Sequence, residues 1–260
     1  MHWFMLEALF FLVAITAFVI ALETGYRLGV RRQASSDEPD RTHANALHGA
    51  VLGLLALLLG FTFAMAVSRF DNRKTFMVDQ ANAIGTASLR GQFLPATYAA
   101  QVAPLFRAYT EGRMQYNLTR ADDPALAALE TRASSIENQL WSVARAVLTD
   151  DPRSQPGSLF AQALNDMFDL REKRRFALND QVPGAVVFLL YAVSFTAMGL
   201  VSYSCGLNGR RRPLANLTFA VLIALVMIII FDIDRPRQGF VTVSQASFER
   251  LLQSMGPATP

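Results

Sequence analysis

The feature that most constrains this chain is an uncharged apolar run that passes without interruption into a charged amphipathic one. Residues 47–68 carry no acidic or basic side chain apart from His48. At about 1.5 Å per residue, a helix of that length crosses a hydrocarbon core of about 30 Å. Arg69, Asp71, Arg73 and Lys74 follow at once, so the chain has reached headgroups or water there. Yet Phe63, Phe70, Met77 and Ile84 recur every seven residues, and no proline intervenes between residues 47 and 94. The pattern predicts one continuous helix with a persistent apolar seam, joining a membrane bundle to a module outside it.

Three further stretches have the length and polarity of membrane spans. Residues 3–22 form the first and contain Glu7. No Lys or Arg precedes them, and Val19-Ile20-Ala21-Leu22-Glu23 lacks a small-residue cleavage site, so they read as a retained anchor and not a signal peptide. Residues 182–207 are an uncharged run of 26. Residues 213–231 begin at Pro213, a residue suited to a first helical turn. A hydrophobic fraction of 52% with only 17% charged residues fits this assignment, since soluble domains carry about 25% charged. The fold class expected is all-α: a polytopic membrane protein with four transmembrane helices and a helical-bundle insertion between helices 2 and 3. Residues 1–68 would hold helices 1 and 2, 69–181 the extramembrane bundle continuous with helix 2, 182–231 helices 3 and 4, and 232–260 a C-terminal tail.

The insertion reads as helical. Tyr98, Val102, Leu105 and Tyr109 step by four, three and four, and Asp123-Pro124 is a helix start with Asp as cap. Leu126, Leu129, Ala133, Ile136, Leu140, Val143 and Val147 then make a bundle seam, closed by Asp150-Asp151-Pro152. Gln155-Pro156-Gly157-Ser158 reads as a turn, with Ser158 capping a last helix that carries Phe160, Leu164 and Met167. That helix leads to Arg171-Glu172-Lys173-Arg174-Arg175, a cluster placed to anchor at lipid headgroups. Three helices plus the extension of the second span would form an antiparallel bundle.

Four spans put the N-terminus, residues 69–181 and the tail on one side. Arg27, Arg31, Arg32, Arg41, Arg210, Arg211 and Arg212 sit in the two short connections on the other. Basic residues in short loops orient toward the cytoplasm, which places 69–181 outside it, on the periplasmic face of a bacterial inner membrane. Arg69, Arg73, Lys74, Arg171, Lys173, Arg174 and Arg175 flank the module near the membrane and weigh the other way.

Two groups of residues stand out as pore or interface candidates. Gly49, Gly53, Ala56, Gly60 and Ala64 lie on one face of the second span. In lipid, close backbone approach along such a face supplies packing energy. It serves either a subunit interface or pore wall, or packing within the chain, which is the commoner use. The second group closes the fourth span: Asp232-Ile233-Asp234-Arg235-Pro236-Arg237-Gln238-Gly239. Asp232, Asp234 and Arg235 would form a charged ring at a pore mouth if several subunits converge, or anchor the helix end at the interface. Phe240-Val241-Thr242-Val243 alternates like a short extended piece, and residues 256–260 read as a disordered end.

Enzymatic chemistry is not expected. His2, His43 and His48 are the only histidines, and His43 and His48 lie on different faces of a helix. Asp122-Asp123 and Asp150-Asp151 lack the alternating oxygen spacing of a calcium loop and are explained as caps. No phosphate loop, nucleophile elbow or metalloprotease motif occurs. No metal or cofactor is expected, and Cys205, the single cysteine, rules out an intrachain disulfide. The net charge of +3 gives no ground for a nucleic-acid partner.

The order of these parts resembles a known family. Two N-terminal spans, a helical insertion, two C-terminal spans and the Asp232-Ile233-Asp234-Arg235-Pro236 motif, with Ala81-Asn82-Ala83-Ile84-Gly85 on the extended second helix, are similar to the bestrophin-like family of bacterial membrane proteins. The likeness covers roughly residues 47–248. It implies a remote link to the bestrophins, pentameric anion channels with four spans per subunit and a cytosolic helical region, the last at odds with the loop charges above. The expectation is a homo-oligomeric channel or pore in the lipid bilayer conducting small ions. The alternative is a non-enzymatic membrane sensor or scaffold whose extramembrane bundle binds a ligand or a protein.

Overall fold

The structure, a computed structural model, describes residues 2–235 and 241–256, with side chains from residue 9 onward except that of residue 10. The described residues form helices and no strand: α1 His2–Arg32, α2 Glu38–Gly91, α3 Ala96–Leu118, α4 Ala125–Asp150, α5 Gln155–Asn179, α6 Gly184–Leu207, α7 Pro213–Asp234 and α8 Ala246–Ser254. A 3-10 turn, Gln33–Ser35, follows α1. Among the described residues, four stretches are long and apolar enough to cross a membrane: Phe11–Ser35, Glu38–Gly91, Gln155–Leu207 and Pro213–Asp234. The chain divides into two compact units, Met1–Ser68 with Gln181–Asp234, and Arg69–Asp180 with Arg235–Pro260.

Helix α2 is continuous over 54 residues, about 80 Å. Its buried positions within the first unit are Leu55, Leu59, Thr62 and Ala66, and within the second Arg73, Met77, Gln80, Ala81, Ile84, Ala87 and Gly91. The sevenfold seam holds only in part: Met77 and Ile84 are buried, but Phe63 is 42% exposed.

In the first unit α1 and α6 run side by side at near-contact of their backbones. A Cβ added at Gly25 would lie 2.1 Å from the Gly199 carbonyl oxygen, and one at Gly206 would lie 2.5 Å from that of Tyr26. Gly29 meets the Tyr203 oxygen in the same way. Phe18 and Phe195 then meet edge to face at 5.2 Å. α7 adds Ala220, Ile223, Ala224, Met227 and Ile230 to this core.

Helix α1 overruns the span expected at residues 3–22. Glu23 and Arg27 pair one turn apart at 2.7 Å, so the first charges do not break the helix. The expected connection 23–46 therefore shrinks to the 3-10 turn and the residues just before Glu38.

The second unit packs α3, α4, α5 and the outer part of α2 around Phe106, Tyr109, Ile136, Leu140, Val147, Phe160, Leu164 and Met167. The seam expected on α4 is the buried face observed from Ala133 to Val147. Two helix starts differ from expectation. Ser154, not Ser158, caps α5: its Oγ accepts from the Gly157 N–H at 3.2 Å, and Pro156 falls in the first turn. The stretch expected to be a turn is thus helical. At α4, Asp123 Oδ1 accepts from the Ala125 N–H, and the helix begins after Pro124. α8 was not expected from the sequence, and its Phe248 is fully buried in this core. Residues 241–245 are neither helix nor strand. Phe240, where the expected alternation begins, and residues 257–260 of the expected disordered end lie outside the described residues.

Candidate functional site

Gly49, Gly53, Ala56, Gly60 and Ala64 are all exposed on α2. At about 100° per residue they lie roughly 130° around the helix from the buried stripe of Leu55, Leu59, Thr62 and Ala66. A Cβ added at Gly49, Gly53 or Gly60 meets nothing within 4 Å. Among the described residues, then, the ladder packs against no other helix of its own chain, which overturns the expectation of intrachain packing. Gly25, Gly29, Gly199 and Gly206 take that part instead. Leu54, Leu57 and Phe61 are exposed alongside the ladder, at 47%, 54% and 64%. Between residues 49 and 64 the uncovered surface of α2 is therefore wholly apolar, with small residues along one line.

The second candidate group closes α7. The apolar span was expected to end at Phe231, and the helix runs on to Asp234, so both aspartates belong to its last turn. Each is only 5% exposed. Asp234 Oδ2 accepts from the Val182 N–H at 2.8 Å and so ties the segment that enters α6 to the last turn of α7. Arg235 follows the helix and is half-buried. Pro236, Arg237 and Gly239 lie outside the described residues, as does the Glu7 side chain.

Two polar networks inside the second unit went unread in the sequence. In the first, Arg113 of α3 and Arg171 of α5 meet Glu130 and Glu137 of α4. Arg171 donates to Glu130 and to Glu137, both at 2.5 Å, Arg113 donates to Glu130 at 3.1 Å, and the Tyr109 hydroxyl donates to Glu137 at 2.6 Å. Arg113 also lies 4.4 Å from the centre of the Tyr116 ring. In the second, Arg174 donates to the amide oxygens of Gln80 and Asn117, and Asn117 donates to Gln245, just before α8.

Burial opposes ionisation of Glu130, but hydrogen bonding from Arg171 and the charges of Arg113 and Arg171 prevail and hold it down at about 2. At Glu137 burial prevails and raises it, and burial together with the Glu137 charge raises Tyr109. The expected headgroup anchor is corrected accordingly: Arg171 and Arg174 turn into the protein, 9% and 2% exposed, whereas Arg175 stays out and pairs with Glu172. A signal was present. Glu130 and Glu137 are seven apart beside the α4 seam, and Arg113 sits on the buried stripe between Tyr109 and Tyr116.

The family model for the bestrophin-like domain matches residues 13–248. The chain belongs to the bestrophin-like family. No curated protein matches the sequence significantly. The bestrophin-like fold is similar to the crystal structure of a bacterial bestrophin homolog from Klebsiella pneumoniae, with a TM-score of 0.66 and 18% identity over 94% of this chain and 96% of that one. A mutant of a Klebsiella pneumoniae bestrophin homolog gives 0.62 and 16%, over 92% and 97%. A further crystal structure, of a membrane protein, gives 0.67 and 15%, over 96% and 97%. At these identities the likeness is one of fold. Among the described residues of the bestrophin-like chain, no three His, Cys, Asp or Glu side chains could hold a metal ion together. Its most distinctive chemical surface is the bare apolar face of α2.

Proposed function

We propose that this bestrophin-like protein is one subunit of a homo-oligomeric membrane channel that conducts small ions across a bacterial inner membrane. The observation that carries the reading is the α2 face of Gly49, Gly53 and Gly60, apolar, exposed and without a partner in its own chain. In lipid, apolar surface alone gives helices little reason to associate, whereas a line of small residues permits close backbone packing. Copies of α2 would meet along that line around an axis, walling a pore with backbone, small residues and apolar constrictions that gate by dewetting. Asp232, Asp234 and Arg235 are the candidate mouth charges. With both carboxylates turned inward, Arg235 is the one that would meet permeating ions. Neither catalysis nor a cofactor enters this account.

The experiment is ion flux from liposomes containing purified protein. Wild type is expected to conduct, Gly53→Phe and Gly60→Phe to lose conductance or assembly, and Arg235→Glu to shift anion-to-cation selectivity. Flux unchanged in all three variants would overturn the pore assignment. One observation favours the second reading, a non-enzymatic sensor or scaffold. The second unit holds a cavity of about 550 Å³ lined by Leu89, Val102, Arg107, Glu111 and Leu251, large enough for a small ligand. Ligand-dependent stabilisation without flux would support that reading instead.

A further inference from the structure

We infer that the first unit carries a seat for an anionic phospholipid where α1, α6 and α7 come together. A groove of about 220 Å³ lies there. Val19, Leu22 and Leu217 supply apolar wall, and Tyr26, Arg211 and Arg212 stand at its mouth. Val19 and Leu217 are 42% and 43% exposed, so the wall is open to an acyl chain.

The mouth is built for negative charge. Glu23 is the single carboxylate on the groove, and it is already shared: one oxygen takes Arg27 at 2.7 Å, the other takes Arg211 at 3.1 Å. Arg211 also lies 5.3 Å from the centre of the Tyr26 ring, which fixes its plane. The Arg212 guanidinium is exposed and has no partner among the described residues. Arg27 and Arg211 therefore share one carboxylate and Arg212 has none, leaving surplus positive charge beside an apolar slot. A guanidinium fork suits phosphate oxygens, and an apolar groove suits the chain beneath them. An anionic diacyl phospholipid combines the two. A free phosphate would use only the mouth, and a zwitterionic lipid would bring its own cation.

The test uses the full chain in nanodiscs containing phosphatidylcholine and phosphatidylglycerol in equal parts, with lipids retained after gentle detergent extraction counted by native mass spectrometry. Wild type should retain phosphatidylglycerol in preference to phosphatidylcholine. At about 1 kcal/mol per arginine near a charged surface, Arg211→Gln with Arg212→Gln should cut that preference about thirtyfold. Arg212→Gln alone, at an exposed unpartnered site, should cut it about fivefold with no change in melting temperature, and Arg212→Lys should restore most of it. Arg210→Gln, adjacent in sequence but off the groove, should change nothing. Equal retention of both lipids by wild type would overturn the inference. So would a loss with Arg210→Gln as large as with Arg212→Gln, which marks diffuse surface charge only, or displacement of the retained lipid by millimolar inorganic phosphate, which marks an anion site without an acyl chain.

Discussion

Replacing Glu130 by Gln is the perturbation that most sharply probes the interior of the second unit. Glu130 faces two guanidiniums, Arg171 at 2.5 Å and Arg113 at 3.1 Å, whose side chains are 10% and 1% exposed. Gln keeps the shape and one acceptor but removes the charge. Two buried cations then share Glu137 alone, and an uncompensated buried charge costs about 3–5 kcal/mol. Glu137 cannot make up the difference, because burial already disfavours its ionisation. A protein of this size loses roughly 3 °C of melting temperature per kcal/mol, so the expected shift is about 10 °C downward. The assay is fluorescence-monitored thermal unfolding of detergent-purified protein at neutral pH. Glu130→Asp, which keeps the charge, should fall between the two. Replacing Arg113 by Met and Glu130 by Leu together should cost less than Glu130→Gln alone, since the pair leaves as a unit. A shift below about 1 °C for Glu130→Gln would refute the reasoning: the network would then be solvated and the burial of Arg113 wrong.

Three further outcomes follow from the packing and a fourth from the loop charges. Glu130 ionises at about 2 when folded against 4.5 ordinarily, so its contribution, on the order of 3 kcal/mol, is whole above pH 4.5 and drains away as pH falls toward 2. Glu137, raised, works in the opposite sense, and acid unfolding profiles of wild type and Glu130→Gln should converge only as pH falls below about 2. Gly25→Val should prevent α1 from seating on α6 and abolish recovery of folded protein, because its Cβ would fall 2.1 Å from the Gly199 carbonyl oxygen; normal yield and melting would contradict that contact. Phe248→Ala should cost about 3–5 kcal/mol and loosen α8, read as faster hydrogen exchange at 246–254. The arginines of the short connections predict that a reporter fused within 120–124 is periplasmic; a cytoplasmic readout would match the arrangement the family resemblance implies.

Local signals carried a good deal of this fold. The continuity of α2 was legible because nothing between residues 47 and 91 can stop a helix. The α4 seam was legible because seven residues keep one spacing. Signals that depend on another segment were not. Gly25 and Gly29 matter only because Gly199 and Gly206 arrive opposite them, and they sit beyond the charge at Glu23 where the span was expected to end. The ladder on α2 has the better local pattern, yet it lies bare. α8 is short, and its place depends on Phe248 entering a core made elsewhere. Glu130, Glu137, Arg113 and Arg171 have the composition of solvated faces; only packing three helices together turns them inward and pairs them. Asp232 and Asp234 stood out as charges after an apolar run, but their burial and the bond to Val182 depend on α6.

The most direct test of the central claim is the number of subunits in the protein purified into nanodiscs, read by native mass spectrometry. The account predicts a closed ring of four to six copies, disrupted by Gly53→Phe, because the proposed pore forms where copies of the bare α2 face pack on one another. A monomer or dimer, unchanged by Gly53→Phe, would contradict it, because no axial pore could then form along that face.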